Sequence, residues 1–193
     1  ELLLTLGHPY ALTSVTEGWE PNLALCQKKL APLGITVKYY DSEKEMPLPF
    51  PDDSFDLVID RHESYDLSEV RRVLKKNGFF VTQQVGGEND LPLVKRLCQG
   101  FSGSFVGFNL ENELPRFRQA GFRVMRSDQA YVESRYLDVG AVVFQASVCP
   151  WEYPGFSVEA SQEALFQMQA QVESLGFVPN LEHRFLIVAK NRK

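Results

Sequence analysis

The chain is poor in the residues that carry metal and disulfide chemistry, with three cysteines and three histidines in 193 residues. Cys26, Cys98 and Cys149 are too scattered for a zinc knuckle or a disulfide framework, and their odd number fits a reducing, cytoplasmic compartment. No metal is expected. All three thiols are read as core or near-core fillers, because free cysteine is commonly buried. Long apolar runs are absent too. The longest, Phe185 to Ala189, falls far below the roughly 20 residues that cross a bilayer, so no membrane partner is expected. Glu1 to Leu6 lack the basic region and cleavage pattern of a signal peptide. Basic charge is in deficit as well: 20 lysines and arginines against 25 acids leave a net charge of −5, which argues against nucleic acid as a partner. Arg116, Arg118, Arg123 and Arg126 cluster in sequence and are read as a solvated helix end and strand edge.

What is present is an ordinary complement of apolar residues, 44% of a chain long enough for one domain with one core. Periodicities of two and of about 3.6 take turns along it, the pattern of an α/β sandwich. Ala11 to Thr16 reads as a strand. Pro21 opens a helix whose stripe Leu23, Cys26, Leu30 should face a sheet, and Pro32 with Gly34 ends it. Ile35 to Tyr40 and Phe55 to Ile59 follow as strands, the second apolar enough to suit cover on both faces. A short helix through Leu67, Val70 and Leu74 is expected to be capped by Asn77-Gly78, before a strand from Phe79 to Val85. The second half predicts helices near Leu91 to Cys98, Glu111 to Ala120, Asp138 to Val148 and Ser157 to Leu175. Between the first two lies a loop from Gly100 to Phe108. The remaining strands are Phe122 to Val132 and His183 to Ala189.

The segment from Ile35 to Val85 is the most specific. An acid, Asp41, follows a strand; then come Phe50-Pro51-Asp52-Asp53-Ser54-Phe55-Asp56-Leu57-Val58, and Arg72-Val73-Leu74-Lys75-Lys76-Asn77-Gly78 before the next strand. In this order the chain resembles the class I S-adenosylmethionine-dependent methyltransferases, of the methyltransferase type 11 kind. The resemblance implies a doubly wound, Rossmann-like, mostly parallel sheet with an antiparallel C-terminal hairpin between the Phe122 and His183 strands. It also implies S-adenosylmethionine as cofactor and a small-molecule methyl acceptor.

Position and resemblance together suggest site residues. Glu17 lies at the carboxyl end of the first strand, where open α/β sheets bind ligands, and could accept both hydroxyls of a ribose, with Gly18 leaving room. Asp41 and Ser42 stand where the family meets adenine, although Asp-Ser is also a common turn start. Asp56 opens its strand and is read as structural. Beyond the fourth family strand, Arg61 and His62 fall where the methyl group is presented. Methyl transfer is an in-line displacement that needs alignment and exclusion of water more than acid–base help. His62 is the candidate general base, against the plainer role of a polar contact. Tyr131, Trp151 and Tyr153, with Tyr136, make 131–156 a candidate substrate lid.

The family's glycine-rich loop and first strand have no counterpart in these residues, so the single domain 1–193 is expected to be incomplete at its N-terminus. That strand would sit between Ala11 to Thr16 and Phe55 to Ile59, and its loss would leave two unpaired edges. The chain alone is therefore not expected to fold. A non-catalytic nucleotide-binding or interaction module on the same fold, or less readily an NAD(P)-dependent oxidoreductase, are the alternatives.

Overall fold

A computed structural model describes every residue except Glu1, Glu45, Ser102 and Ser104. After a short helix α1 (Leu2–Thr5), Pro9 starts a 3-10 turn over Tyr10–Leu12. The first strand, β1 (Ser14–Glu17), is thus later and shorter than expected, because Thr13 Oγ1 closes the turn onto the Pro9 carbonyl at 3.0 Å. Helix α2 (Glu20–Leu30) returns the chain to β2 (Thr36–Tyr39), and β1 and β2 pair in parallel from Ser14↔Thr36 to Glu17↔Tyr39. Leu23, Cys26 and Leu30 are the half-buried residues of α2, so the stripe faces the sheet as predicted; none of them is fully covered.

A second sheet has the order β3-β4-β6-β5. Strand β3 (Phe55–Arg61) runs parallel to β4 (Leu74–Val85), and β4 lies antiparallel to β6 (Val178–Asn191). The outer β5 (Phe122–Tyr136) pairs with β6 from Phe122↔Asn191 to Tyr136↔Val178, a longer antiparallel ladder than the sequence suggested. This is the expected Rossmann-like α/β fold with its antiparallel C-terminal pair. Among the described residues, β1 has a partner on one side only, and so does β3. The expected cover on both faces of β3 is not found: Leu57 is 49% and Ile59 53% exposed, since their face has no helix packed on it.

Helix α3 (Leu67–Val73) begins at Asp66, whose carboxylate accepts the Ser68 and Glu69 amides at 2.7 and 3.4 Å. Its end differs from the predicted Asn77-Gly78 cap. The helix stops at Val73, and its last carbonyls are taken from across the molecule. Asn191 Nδ2 donates to the Arg71 carbonyl at 3.2 Å and Lys193 Nζ to the Arg72 carbonyl at 2.6 Å. Asn77, at φ 66°, and Gly78 instead form the bulge where the β3–β4 register shifts.

Arg72 ties the proline-rich approach to β3 onto α3. Its guanidinium donates to Glu69, to Asp52 and to the Phe50 and Leu48 carbonyls, all at 2.7 to 2.9 Å. The "FPDDSFDLV" and "RVL" segments thus form one latch.

The core divides in two. Leu67, Val70, Phe80, Phe117, Phe122 and Phe185 pack between the sheet and α3 with α5 (Leu110–Gln119), where the Phe80 and Phe117 rings stack at 5.7 Å. The other cluster joins α4 (Leu91–Leu97), α6 (Val139–Val148) and α7 (Gln162–Leu175) around Leu93, Val142, Tyr153 and Met168. Helix α6 is capped by Asp138, and α7 starts later than the predicted Ser157 because residues 157–161 form turns. No helix among the described residues is long and apolar enough to cross a membrane.

Candidate active site

Because β1 and β2 are parallel and β3 and β4 are parallel, each pair presents its carboxyl ends together. The loops that follow join the two pairs. Ser42 Oγ, beyond β2, lies 2.5 Å from Ser64 Oγ, beyond β3. Along this rim two regions form, an acidic patch at β1 and β2 and a cleft at β3 and β4.

In the patch, Glu17 is the last residue of β1 and half-buried. One carboxylate oxygen accepts the Trp19 amide at 3.0 Å, which fixes the side chain. Gly18 has a local reason to be glycine: a Cβ there would lie 2.8 Å from the Tyr40 carbonyl oxygen. Asp41 accepts the Glu43 amide at 3.1 Å and pairs with Lys44 at 2.9 Å; the hydrogen bond from Lys44 holds its carboxyl below the usual range.

The cleft has a volume of about 420 Å³. Its floor comes from Gly86 and Gly87, directly after β4, and its walls from His62, Glu63, Phe105 and Trp151. Gly87 admits a close chain crossing, since a Cβ there would lie 1.8 Å from the Phe105 carbonyl oxygen. His62 holds φ 60°, an uncommon conformation for a residue with a side chain. Burial, followed by the charges of Arg61 and Arg184, pushes its imidazole pKa down, which keeps it neutral at neutral pH.

Beside His62, Asp60 accepts Thr82 Oγ1 at 3.0 Å and Gln84 Nε2 at 2.6 Å, and burial raises its pKa to about 7. Across the cleft, both oxygens of Glu152 accept Asn89 Nδ2, at 2.9 and 3.0 Å, and burial with the neighbouring Asp90 raises its pKa to about 7. Asp90 is itself fixed by Tyr153 Oη at 3.1 Å and Asn180 Nδ2 at 2.6 Å.

These carboxyls give stability a two-sided pH dependence. Asp60 and Glu152 have raised pKa values in the fold, so lowering the pH from about 8 to 5 protonates them and stabilises it. Asp66 and Glu69 are held low, by Ser68 and by Arg72 respectively, so their stabilisation is lost as pH falls from the ordinary carboxyl range through their lower folded values. Thermal melting is expected to rise from pH 8 to about 6.5 and to level off below it, where His62 and His183, both pushed down by burial, take protons more readily in the unfolded chain; a midpoint that falls steadily from pH 8 to about 6.5 would contradict this.

Of the residues singled out from sequence, His62 and Trp151 line the cleft, while Glu17, Gly18, Asp41 and Ser42 form the adjoining patch. Arg61 lies outside the cleft lining and donates to Gln83 Oε1 at 3.2 Å. Tyr131 stacks on His183 at 4.6 Å and donates to Glu88 at 2.7 Å. Tyr153 is 1% exposed and supports Asp90 from beneath, which corrects its placement on the ligand side of a lid. Sequence reasoning missed Gly86-Gly87, Asn89, Asp90 and Glu152; the glycine pair at a strand's carboxyl end was the available signal. The arginines read as a solvated edge do gather: Arg118, Arg123 and Arg126, with Arg192, line an open groove of about 470 Å³.

Residues 3–82 match the family model described as a methyltransferase domain. A candidate methyltransferase from Bacillus halodurans C-125 superposes with a TM-score of 0.61 at 17% identity, over 93% of this chain and 83% of that one. The YcgJ protein of Bacillus subtilis gives 0.57 at 16% identity, over 93% and 82%. Residues 3–82 thus resemble a methyltransferase domain in sequence, and the chain shares the fold of these proteins over most of its length. A candidate sarcosine dimethylglycine methyltransferase from Galdieria sulphuraria shares the fold at a TM-score of 0.51 and 15% identity, over 93% and 70%. No curated protein matches the chain. The methyltransferase match takes in β1 to β3 and most of β4, ending at Thr82, before the glycine floor of the cleft.

Proposed function

We propose that the protein transfers a methyl group from S-adenosylmethionine to a small-molecule acceptor. The observation that carries this reading is the joined rim of parallel strand ends, with Glu17 in one region and the His62 cleft in the other. Open α/β sheets bind ligands at that end. The residues fit the cofactor. Glu17, fixed by the Trp19 amide, can take the ribose hydroxyls, and Asp41 with Ser42 can border the adenine, with Gly18 leaving room beside them. Bound there, the cofactor supplies an electrophilic methyl group on a sulfonium. His62, kept neutral, can take a proton from the acceptor, and Trp151 in segment 131–156 borders the acceptor space.

Calorimetric titration with S-adenosylhomocysteine tests the reading. Micromolar binding is expected; no nucleotide binding, or binding of a nicotinamide dinucleotide instead, would overturn it. The scattered thiols favour a cytoplasmic location for the reaction.

A further inference from the structure

Within the cleft assigned above to the acceptor, we propose that the methyl acceptor is an amine, which enters as its ammonium ion and is received by Glu152. The inference rests on the methyltransferase reading and adds the substrate class. Three glutamates line the cavity, Glu43 and Glu63 on one side and Glu152 on the other, and among the described residues no lysine or arginine does. A carboxylate or phosphate ligand would meet like charge there, whereas a cation is favoured; Arg184, behind Asn89, is itself paired with Glu182 at 2.8 Å. The remaining walls are aromatic. Phe101, Phe105, Phe108 and Trp151 offer ring faces, and a cationic nitrogen near such faces gains on the order of 0.5 to 2 kcal/mol.

Glu152 is the best placed of the three to do more than attract. It is half-buried, and its carboxylate is oriented by the Asn89 amide at 2.9 and 3.0 Å. Asn89 is in turn fixed by Arg184 Nη1, which donates to its Oδ1. Glu63, by contrast, is exposed and accepts from the adjacent Ser64 amide at 3.0 Å. The groups that face Glu152 are Asp90, Asn89, Arg184 and the Tyr136 and Tyr153 hydroxyls, and together with burial they leave its carboxyl able to exchange a proton near neutrality.

The step balances without a further reactant. An ammonium gives its one surplus proton to the Glu152 carboxylate, so that for this class of acceptor Glu152 and not His62 is the base, and becomes a neutral amine. The nitrogen lone pair then forms the bond to the methyl carbon as the carbon–sulfur bond breaks and its electron pair stays on sulfur. The product is an N-methylammonium, a cation like its precursor, and the carboxyl proton leaves to solvent.

The test uses three probes of one shape: phenethylamine, phenethyl alcohol and phenylacetate, titrated calorimetrically into the protein at pH 7.5 with S-adenosylhomocysteine present. Phenethylamine is expected to bind at least tenfold more tightly than the alcohol, and phenylacetate more weakly than either. Glu152→Gln is expected to remove most of the amine preference. If the nucleotide binds but the alcohol or phenylacetate binds as well as the amine, the acceptor assignment is overturned and the methyltransferase reading stands. If the nucleotide itself fails to bind, that reading falls and the assignment falls with it. Should Glu152→Gln not fold, the ranking of the three probes on the unmodified protein still decides.

Discussion

Replacing Arg72 by methionine is expected to lower the free energy of unfolding by about 1.5 to 3 kcal/mol, the loss of charge-assisted hydrogen bonds made by a partly buried guanidinium. The side chain is only 26% exposed, and its partner Glu69 is 17% exposed. Methionine keeps much of the stem volume but removes every donor. Glu69 would then keep the Leu48 amide, at 2.7 Å, as its remaining partner, the Phe50 carbonyl would lose its guanidinium donor, and the Leu48 carbonyl would keep only the Phe50 amide, at 2.7 Å. Lysine should recover less than half of the loss, because an ammonium cannot reproduce the planar fork that reaches two carbonyls and two carboxylates. Urea denaturation measures both variants. A loss under about 1 kcal/mol for methionine would mean that the latch is a surface ornament.

The second large effect concerns Glu17. Charge-assisted hydrogen bonds contribute about 1.5 to 3 kcal/mol each, so losing two ribose contacts in Glu17→Ala should weaken S-adenosylhomocysteine binding by roughly 100-fold or more. Glu17→Gln retains an oxygen for the Trp19 amide and should lose less, about tenfold, which separates a damaged turn from a lost ligand contact. Alanine binding the nucleotide as well as the unmodified protein would remove Glu17 from the site.

The strands and helices from Ile35 to Val85 were legible because their signals are local: proline before β3, apolar runs within it, and a 3.6-residue spacing at Leu67 and Val70. The end of α3 was not legible. Asn77-Gly78 is a sound local cap, but Asn191 and Lys193, more than a hundred residues away, reach the helix carbonyls first. The same distinction divides the site. Glu17, Asp41 and His62 follow strands and could be found by position. Glu152 and Asp90 owe their proton chemistry to burial beside one another, across 62 positions of sequence, and no periodicity encodes that neighbour. Tyr153 misled for a related reason: an aromatic in a glycine- and proline-rich stretch suits a lid, yet its hydroxyl is needed under Asp90.

The arginine groove begins where Phe122 meets Asn191, and the glutamate-lined cleft lies past the Val85–Arg184 pairing, about 20 Å away along β6. Four arginines at one end of this strand and three glutamates at the other give it an electrical axis. Near a negatively charged surface the arginine end would be drawn inward, with the mouth of the cleft turned toward the solution and open to small cations arriving from it.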